Sequence, residues 1–314
     1  MKPYTLVSFA RIRPLAAWSI SGSAIGVGLA LYLTGWEIVA LLPMILAIVA
    51  VIIMQYVAHP LNDIMDYELD RQAPISETRR VKPLVDGSIT VKETKTLSLF
   101  LIAVILVILG YLIIRQPVLL IPAAYGLIAV IGYNSSRVRL AYRPYTELYF
   151  GIPINVLTVS VISFIGSGIF SVLEIVVGVL FSFMASSFFI SMMSMDYPTD
   201  RLHKKNTTVV SHPRLRWCTY FPLIGMAFAM ISPALLYQVI GWGPALLFAG
   251  ISAAFLLVVA IWGKRVDDVR LSFLGGTSSD VERRSGDMRL NQLYLAIVYA
   301  FLIAAYFAML GAGL

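Results

Sequence analysis
Apolar runs of about 20 residues recur along the chain, each long enough to carry a helix across a hydrocarbon core of roughly 30 Å. They lie at 14–35, 38–61, 96–115, 117–134, 147–169, 172–195, 219–240, 243–262 and 292–311, with 117–134 the shortest. In lipid every backbone N–H and C=O must find its partner within the segment, so runs of this kind are helices. Composition agrees with that reading. Only 13% of residues are charged and 59% are hydrophobic, against roughly 25% charged in a soluble domain. The expected fold is an all-α membrane protein of nine transmembrane helices, one domain over 1–314.

The charges supply an independent check on that count. Of the 24 Lys and Arg residues, 23 fall at the N-terminus or in the segments 62–95, 135–146, 196–218 and 263–291, leaving only Arg115 elsewhere. With nine spans, those four segments are the even-numbered connections and share one side. The positive-inside rule makes that side cytoplasmic. An integral protein of the cell membrane is expected, with its N-terminus in the cytoplasm and its C-terminus on the opposite side. Orientation, an anionic leaflet and a phosphorylated substrate account for the net charge of +7 without nucleic acid. The single cysteine, Cys218, excludes an intrachain disulfide. The first apolar run is too long for a cleavable signal and reads as the first span. Thr90 followed by Glu93 predicts a capping box at the start of the third span.

Almost all the acids share the side of the basic residues. The second run closes on Asn62-Asp63-Ile64-Met65-Asp66-Tyr67-Glu68-Leu69-Asp70. If the helix continues, Asp63, Asp66 and Asp70 fall within about 60° of one another, with Asn62 about 40° further round and Glu68 pointing away. Three such carboxylates repel one another, and each costs a few kcal/mol if buried without a partner. A divalent cation removes that cost, and an all-oxygen set without a Cys or His pair favours Mg2+ over zinc. The sixth run closes on Asp196-Tyr197-Pro198-Thr199-Asp200, followed by Lys204 and Lys205. Asp196 and Asp200 are i, i+4, although Pro198 can end the helix there and place both on a turn.

The two clusters occupy like positions, four spans apart, on one membrane side. They predict two facing carboxylate sites around a central cavity open to the cytoplasmic side. Mg2+ held by one or two carboxylates completes its shell with phosphate and water, and neighbouring Arg and Lys complete an anion site. Carboxylates at a helix end can also be plain interfacial residues, but two clusters in register argue against that. A cation-coupled transporter would carry its acids at the midplane, not at helix ends.

Asn62-Asp63-x-x-Asp66-x-x-x-Asp70 resembles the first aspartate-rich motif of the UbiA superfamily of intramembrane prenyltransferases, and Asp196-x-x-x-Asp200 with Lys205 resembles the second. Nine spans with motifs after the second and sixth are also that family's layout. The resemblance implies a Mg2+-dependent transfer of an isoprenyl group from a prenyl diphosphate donor to a hydrophobic acceptor, aromatic quinone precursor or lipid, with release of pyrophosphate. It implies two or more Mg2+ ions on Asp63, Asp66, Asp70, Asp196 and Asp200 as the catalytic and metal-binding set. It implies diphosphate contacts from Asn62, Arg71 and Lys205. Lys82, in a Lys82-Pro83-x-x-x-Gly87 segment, joins them, as do Tyr133 and Arg137 in a Tyr-x-x-x-cation element and Arg13 before Pro14. Lys204 stands where some members carry a third acidic residue. Residues 139–147 resemble the branch acting on naphthoate acceptors. A terpene cyclase on the same fold is the enzymatic alternative, and a cation-coupled membrane transporter the alternative from another class.

Overall fold
The computed structural model describes residues 16–72, 83–135, 138–202, 204–274 and 281–313, and among these the chain is helical, with no strand. A π-helical turn, Ala16–Ile20, leads into α1 (Ser21–Thr34). Next come α2 (Leu41–Met65), the short α3 (Tyr67–Gln72) and α4 (Val91–Arg115). The 3-10 turn Pro117–Leu119 leads into α5 (Leu120–Tyr133), and the π-helical turn Glu147–Gly151 into α6 (Ile152–Ser167). The remaining helices are α7 (Val172–Leu202), the single turn α8 (Thr208–Ser211), α9 (Trp217–Ile240), α10 (Trp242–Leu274) and α11 (Val281–Gly311).

Eight of these helices are long and apolar enough to span a membrane, while Pro117–Tyr133 is apolar but shorter. Its length sits at the lower limit for crossing the hydrocarbon region. The helices also overrun the apolar runs. α4 begins at Val91, where Thr90 Oγ1 accepts from the Glu93 N–H at 3.2 Å and the Glu93 carboxylate accepts from the Thr90 N–H at 2.9 Å. The expected capping box is therefore present. α7 continues through Pro198 to Leu202, so of the two readings left open there the helix, not the turn, is the one formed. A proline removes one i→i−4 hydrogen bond, and the surrounding contacts hold the helix through the gap.

Small residues let the helices approach closely, as is usual where lipid leaves no hydrophobic drive between them. A Cβ on Gly28 would collide with the Ala304 carbonyl of α11, and one on Gly263 with the Cys218 carbonyl of α9. α7 is the central helix, with 78% of its apolar window buried, whereas α4 buries only 17% and faces outward. Glu174 in the first turn of α7 is fully buried and accepts from the Ser171 N–H at 2.9 Å and the Ser171 hydroxyl at 2.7 Å. That acid closes a helix start and has no part in the clusters at the other end.

Candidate functional site
The first acidic cluster sits where α2 is interrupted by a single residue. Asp66 leaves helical geometry (φ −93°, ψ 5°), yet its N–H donates to the Asn62 carbonyl at 2.9 Å. The Asp70 N–H in turn donates to the Asp66 carbonyl at 2.8 Å, so the i→i−4 ladder survives into α3. Asp63 and Asp66 are buried, Asn62 and Asp70 half-buried, and Arg71 is exposed.

The second cluster is shaped by the way α7 ends. Lys204 adopts the left-handed conformation (φ 56°). Its N–H donates to the Arg201 carbonyl at 3.2 Å, and the Lys205 N–H to the Asp200 carbonyl at 2.8 Å. These are the paired 5→2 and 6→1 bonds of a Schellman cap, whose left-handed residue is usually glycine or asparagine. Lys204 thus occupies a backbone-turning position. The turn sends Lys205 back along the helix it has just left.

That reversal joins the two clusters. Lys205 Nζ lies 3.0 Å from Asp66 Oδ2 and 4.0 Å from Asp200 Oδ1. Asn62 Nδ2 donates to the same Asp66 oxygen at 3.4 Å. The other Asp66 oxygen accepts from the Tyr142 hydroxyl at 2.7 Å. Lys205 lies 4.7 Å from the centre of the Tyr142 ring, and the Arg139 guanidinium lies 5.6 Å from it. Burial opposes the charge on Lys205, but Asp66 and Asp200 together outweigh it and hold its pKa above the ordinary lysine value. Burial, then the hydrogen bond to Asp66, pushes the Tyr142 phenol up, so it stays a neutral donor.

Neither Tyr142 nor Glu147 stood out in the sequence. Tyr142 closes the 3-10 turn Leu140–Tyr142, entered through Arg139 in left-handed geometry. Glu147 is fully buried at the start of the π-helical turn before α6. Its Oε2 accepts from the Thr208 hydroxyl at 2.9 Å, and that hydroxyl accepts from the Tyr145 N–H at 2.6 Å. Its Oε1 has no hydrogen-bond partner among the described residues. Glu147 thereby ties α6 to α8, three residues past Lys205.

Asp66, Asp200, Lys205 and Asn62 therefore meet. Asp196 does not share the burial of Asp200, although the two are i, i+4: Asp196 is exposed. It still adds to the field that keeps Lys205 charged. Tyr133 is half-buried at the end of α5, its ring stacked on Phe150 at 5.1 Å between centres. Tyr67 packs beside Leu84 and Ile89, and Tyr197 lies in the main core. Met193 belongs to that core too. Arg13, Lys82 and Arg137 lie outside the described residues.

Two carboxylates from different helices converging on one cation form an all-oxygen donor set, and such a set fits a hard divalent ion. Among the described residues no three His, Cys, Asp or Glu side chains come close enough to hold an ion together. An ion here would take one or two carboxylates and complete its shell with phosphate and water, as Mg2+ commonly does.

Fold and site together define an integral membrane protein whose two acidic helix ends meet around one lysine. The UbiA prenyltransferase family matches residues 20–273, and the chain belongs to that family. It is an intramembrane prenyltransferase. No curated protein sequence matches it. Among solved structures it is similar to a UbiA homolog from Archaeoglobus fulgidus bound to GPP and Mg2+ (18% identity, TM-score 0.63, covering 96% of this chain and 99% of that one). A digeranylgeranylglyceryl phosphate synthase is also similar (16% identity, TM-score 0.55, 96% and 98% covered). So is a UbiA homolog from Aeropyrum pernix K1 (17% identity, TM-score 0.53, 91% and 97% covered). At these identities the likeness is one of fold.

Proposed function
We propose that the chain spans the membrane nine times, with its acidic end in the cytoplasm. There it transfers an isoprenyl group from a Mg2+-bound prenyl diphosphate to an aromatic or lipid acceptor. The observation that carries this reading is the ammonium of Lys205 lying between Asp66 and Asp200, because carboxylates that converge on one cation suit a shared metal–diphosphate. The Archaeoglobus homolog bound to GPP and Mg2+ supports the same donor class.

Mg2+ would neutralise the charge that builds on the departing pyrophosphate, the kind of electrostatic stabilisation that usually dominates catalysis. Asp63, Asp66, Asp70, Asp196 and Asp200 would hold it, directly or through water. Lys205 exchanges Asp66 for diphosphate oxygens when the donor binds, one anionic partner for another, and so stays cationic. Arg71 and Asn62, with Arg13, Lys82, Tyr133 and Arg137, complete the diphosphate contacts. Asp66 stays oriented through its other oxygen, which accepts from Tyr142. The prenyl tail lies in the apolar cleft between α2, α4, α5 and α6, lined by Ala50, Met54, Leu112, Gly126 and Leu157. Such a cleft shields an allylic cation from water until the acceptor attacks it.

The test is incubation of the purified protein with radiolabelled geranylgeranyl diphosphate, Mg2+ and a panel of hydroxybenzoate, dihydroxynaphthoate and glycerophosphate-lipid acceptors. A prenylated acceptor is the expected product. A hydrocarbon formed without acceptor would move the assignment to a cyclase. Intact diphosphate under every condition would defeat both enzymatic readings and favour a transporter.

A further inference from the structure
The C-terminal end of α7 carries a second group of polar side chains beside that site. Tyr197 and Arg201, four residues apart at that end, face Val210, Ser211, Pro213 and Arg214 across an open cavity of about 540 Å3. That volume falls in the range of small-molecule sites, about 300–1,000 Å3. Both arginines are exposed. Neither pairs with a carboxylate among the described residues, where the ion pairs are those of Lys205, Arg216 and Arg270. Arg201 donates to the Tyr197 hydroxyl at 3.5 Å, which leaves the tyrosine its own proton to donate.

The wall that carries Arg214 is held from behind. Buried Arg270 of α10 donates to the Pro213 carbonyl and, at 2.6 Å, to the Leu215 carbonyl. The backbone on both sides of Arg214 is thus fixed by a side chain with no exposure of its own. The opposite wall is fixed as well, because Tyr197 belongs to the main core. Two guanidinium forks and a phenol, with no carboxylate paired to them among the described residues, match the geometry of phosphate or carboxylate. A fixed backbone around Arg214 and a core-held Tyr197 lower part of the ordering cost of holding such an anion.

We infer that this cavity is an anion site for the phosphate or carboxylate head of the prenyl acceptor. The inference rests on the transferase reading above. Asp66, Asp200 and Lys205 account for the donor's diphosphate, and Arg201 follows Asp200 directly in sequence. A head group bound at this end of α7 keeps the acceptor beside the donor while its apolar part stays in the bilayer.

The experiment measures binding to the full-length protein in detergent, with hexadecylglycerol phosphate, palmitate and uncharged hexadecylglycerol as probes. A non-hydrolysable geranylgeranyl diphosphate analogue with Mg2+ is titrated in parallel. The wild type should bind at least one anionic probe about tenfold more tightly than the neutral one. The Arg201→Gln/Arg214→Gln variant should lose that preference while its affinity for the donor analogue stays within about twofold. The Arg201→Lys/Arg214→Lys variant, which keeps charge without the planar fork, should fall between them. Equal affinity for charged and neutral probes in the wild type, with the donor analogue bound, would overturn the inference alone. So would a preference that survives the double glutamine variant. Displacement of the probe by phosphatidylglycerol nanodiscs as effectively as by unlabelled probe would assign the cavity to a lipid head group and remove the acceptor role. Failure of the wild type to bind the donor analogue would sink the transferase reading, and the acceptor assignment with it.

Discussion

Asp66 and Asp267 both lie buried against a cationic side chain, Lys205 in one case and Arg270 in the other. Their remaining partners differ in kind. The side-chain oxygens of Asp66 bind other side chains: the Tyr142 phenol, the Asn62 amide and the Lys205 ammonium. Those of Asp267 accept from the Thr219 N–H at 2.9 Å and the Thr219 hydroxyl at 2.8 Å, and from the Cys218 N–H at 3.4 Å, at the start of α9. Arg270, 3.1 Å away, spends its other contacts on the Pro213 and Leu215 carbonyls. Side-chain partners can rotate away when a ligand arrives, whereas backbone partners cannot leave without unfolding the turn. A buried acid–cation pair is therefore an exchangeable site at one place and a rivet at the other, and the partners decide which.

The contrast breaks if both pairs respond alike to substitution. The largest effect is expected at the exchangeable site. Asp66→Asn and Asp200→Asn should each lower prenyl transfer by roughly 10^3-fold, while thermal unfolding in detergent stays near the wild type because Lys205 keeps one carboxylate. Near-normal turnover in either variant would contradict the catalytic role. Arg270→Met should do the reverse. Leaving Asp267 buried without its cation costs about 3–5 kcal/mol, visible as a large drop in the unfolding midpoint. The protein that remains folded at low temperature should still bind the donor analogue with near wild-type affinity.

Smaller changes sharpen the comparison. Tyr142→Phe removes one donor from Asp66 and leaves the ring against Lys205. A hydrogen bond to a charged group contributes about 1.5–3 kcal/mol, so kcat/KM for the donor should fall by about 10- to 150-fold, with the melting midpoint little changed. A drop in stability without one in kcat/KM would make Tyr142 a rivet as well. The smallest effect belongs to the exposed capping box, where Thr90→Ala should cost about 1 kcal/mol of stability and nothing in activity.

Most of the helices were legible in the sequence, because lipid leaves an apolar run of 20 residues one way to satisfy its backbone. The capping box at Thr90 was legible for the same reason, since its partners lie three residues apart. The ends of α7 were not. Periodicity cannot say whether Pro198 stops a helix, and here the packing around the central helix carries it through. The candidate site divides the same way. Asp63, Asp66, Asp70, Asp196 and Asp200 announce themselves by type and spacing, but spacing put Asp196 and Asp200 on one face, and the structure buries only Asp200.

Composition and charge order by themselves determined a helical membrane protein with its acids gathered at one end, since these follow from the solvent and from local geometry. Only the tertiary structure decided that Lys205 bridges Asp66 and Asp200, that Tyr142 reaches an aspartate 76 positions away, and that Arg270 holds the backbone around Arg214. Most of those contacts join a helix to a loop or turn from elsewhere in the chain, and their meeting depends on how the helices pack and on the left-handed turn at Lys204. Neither is written in any single stretch of the chain.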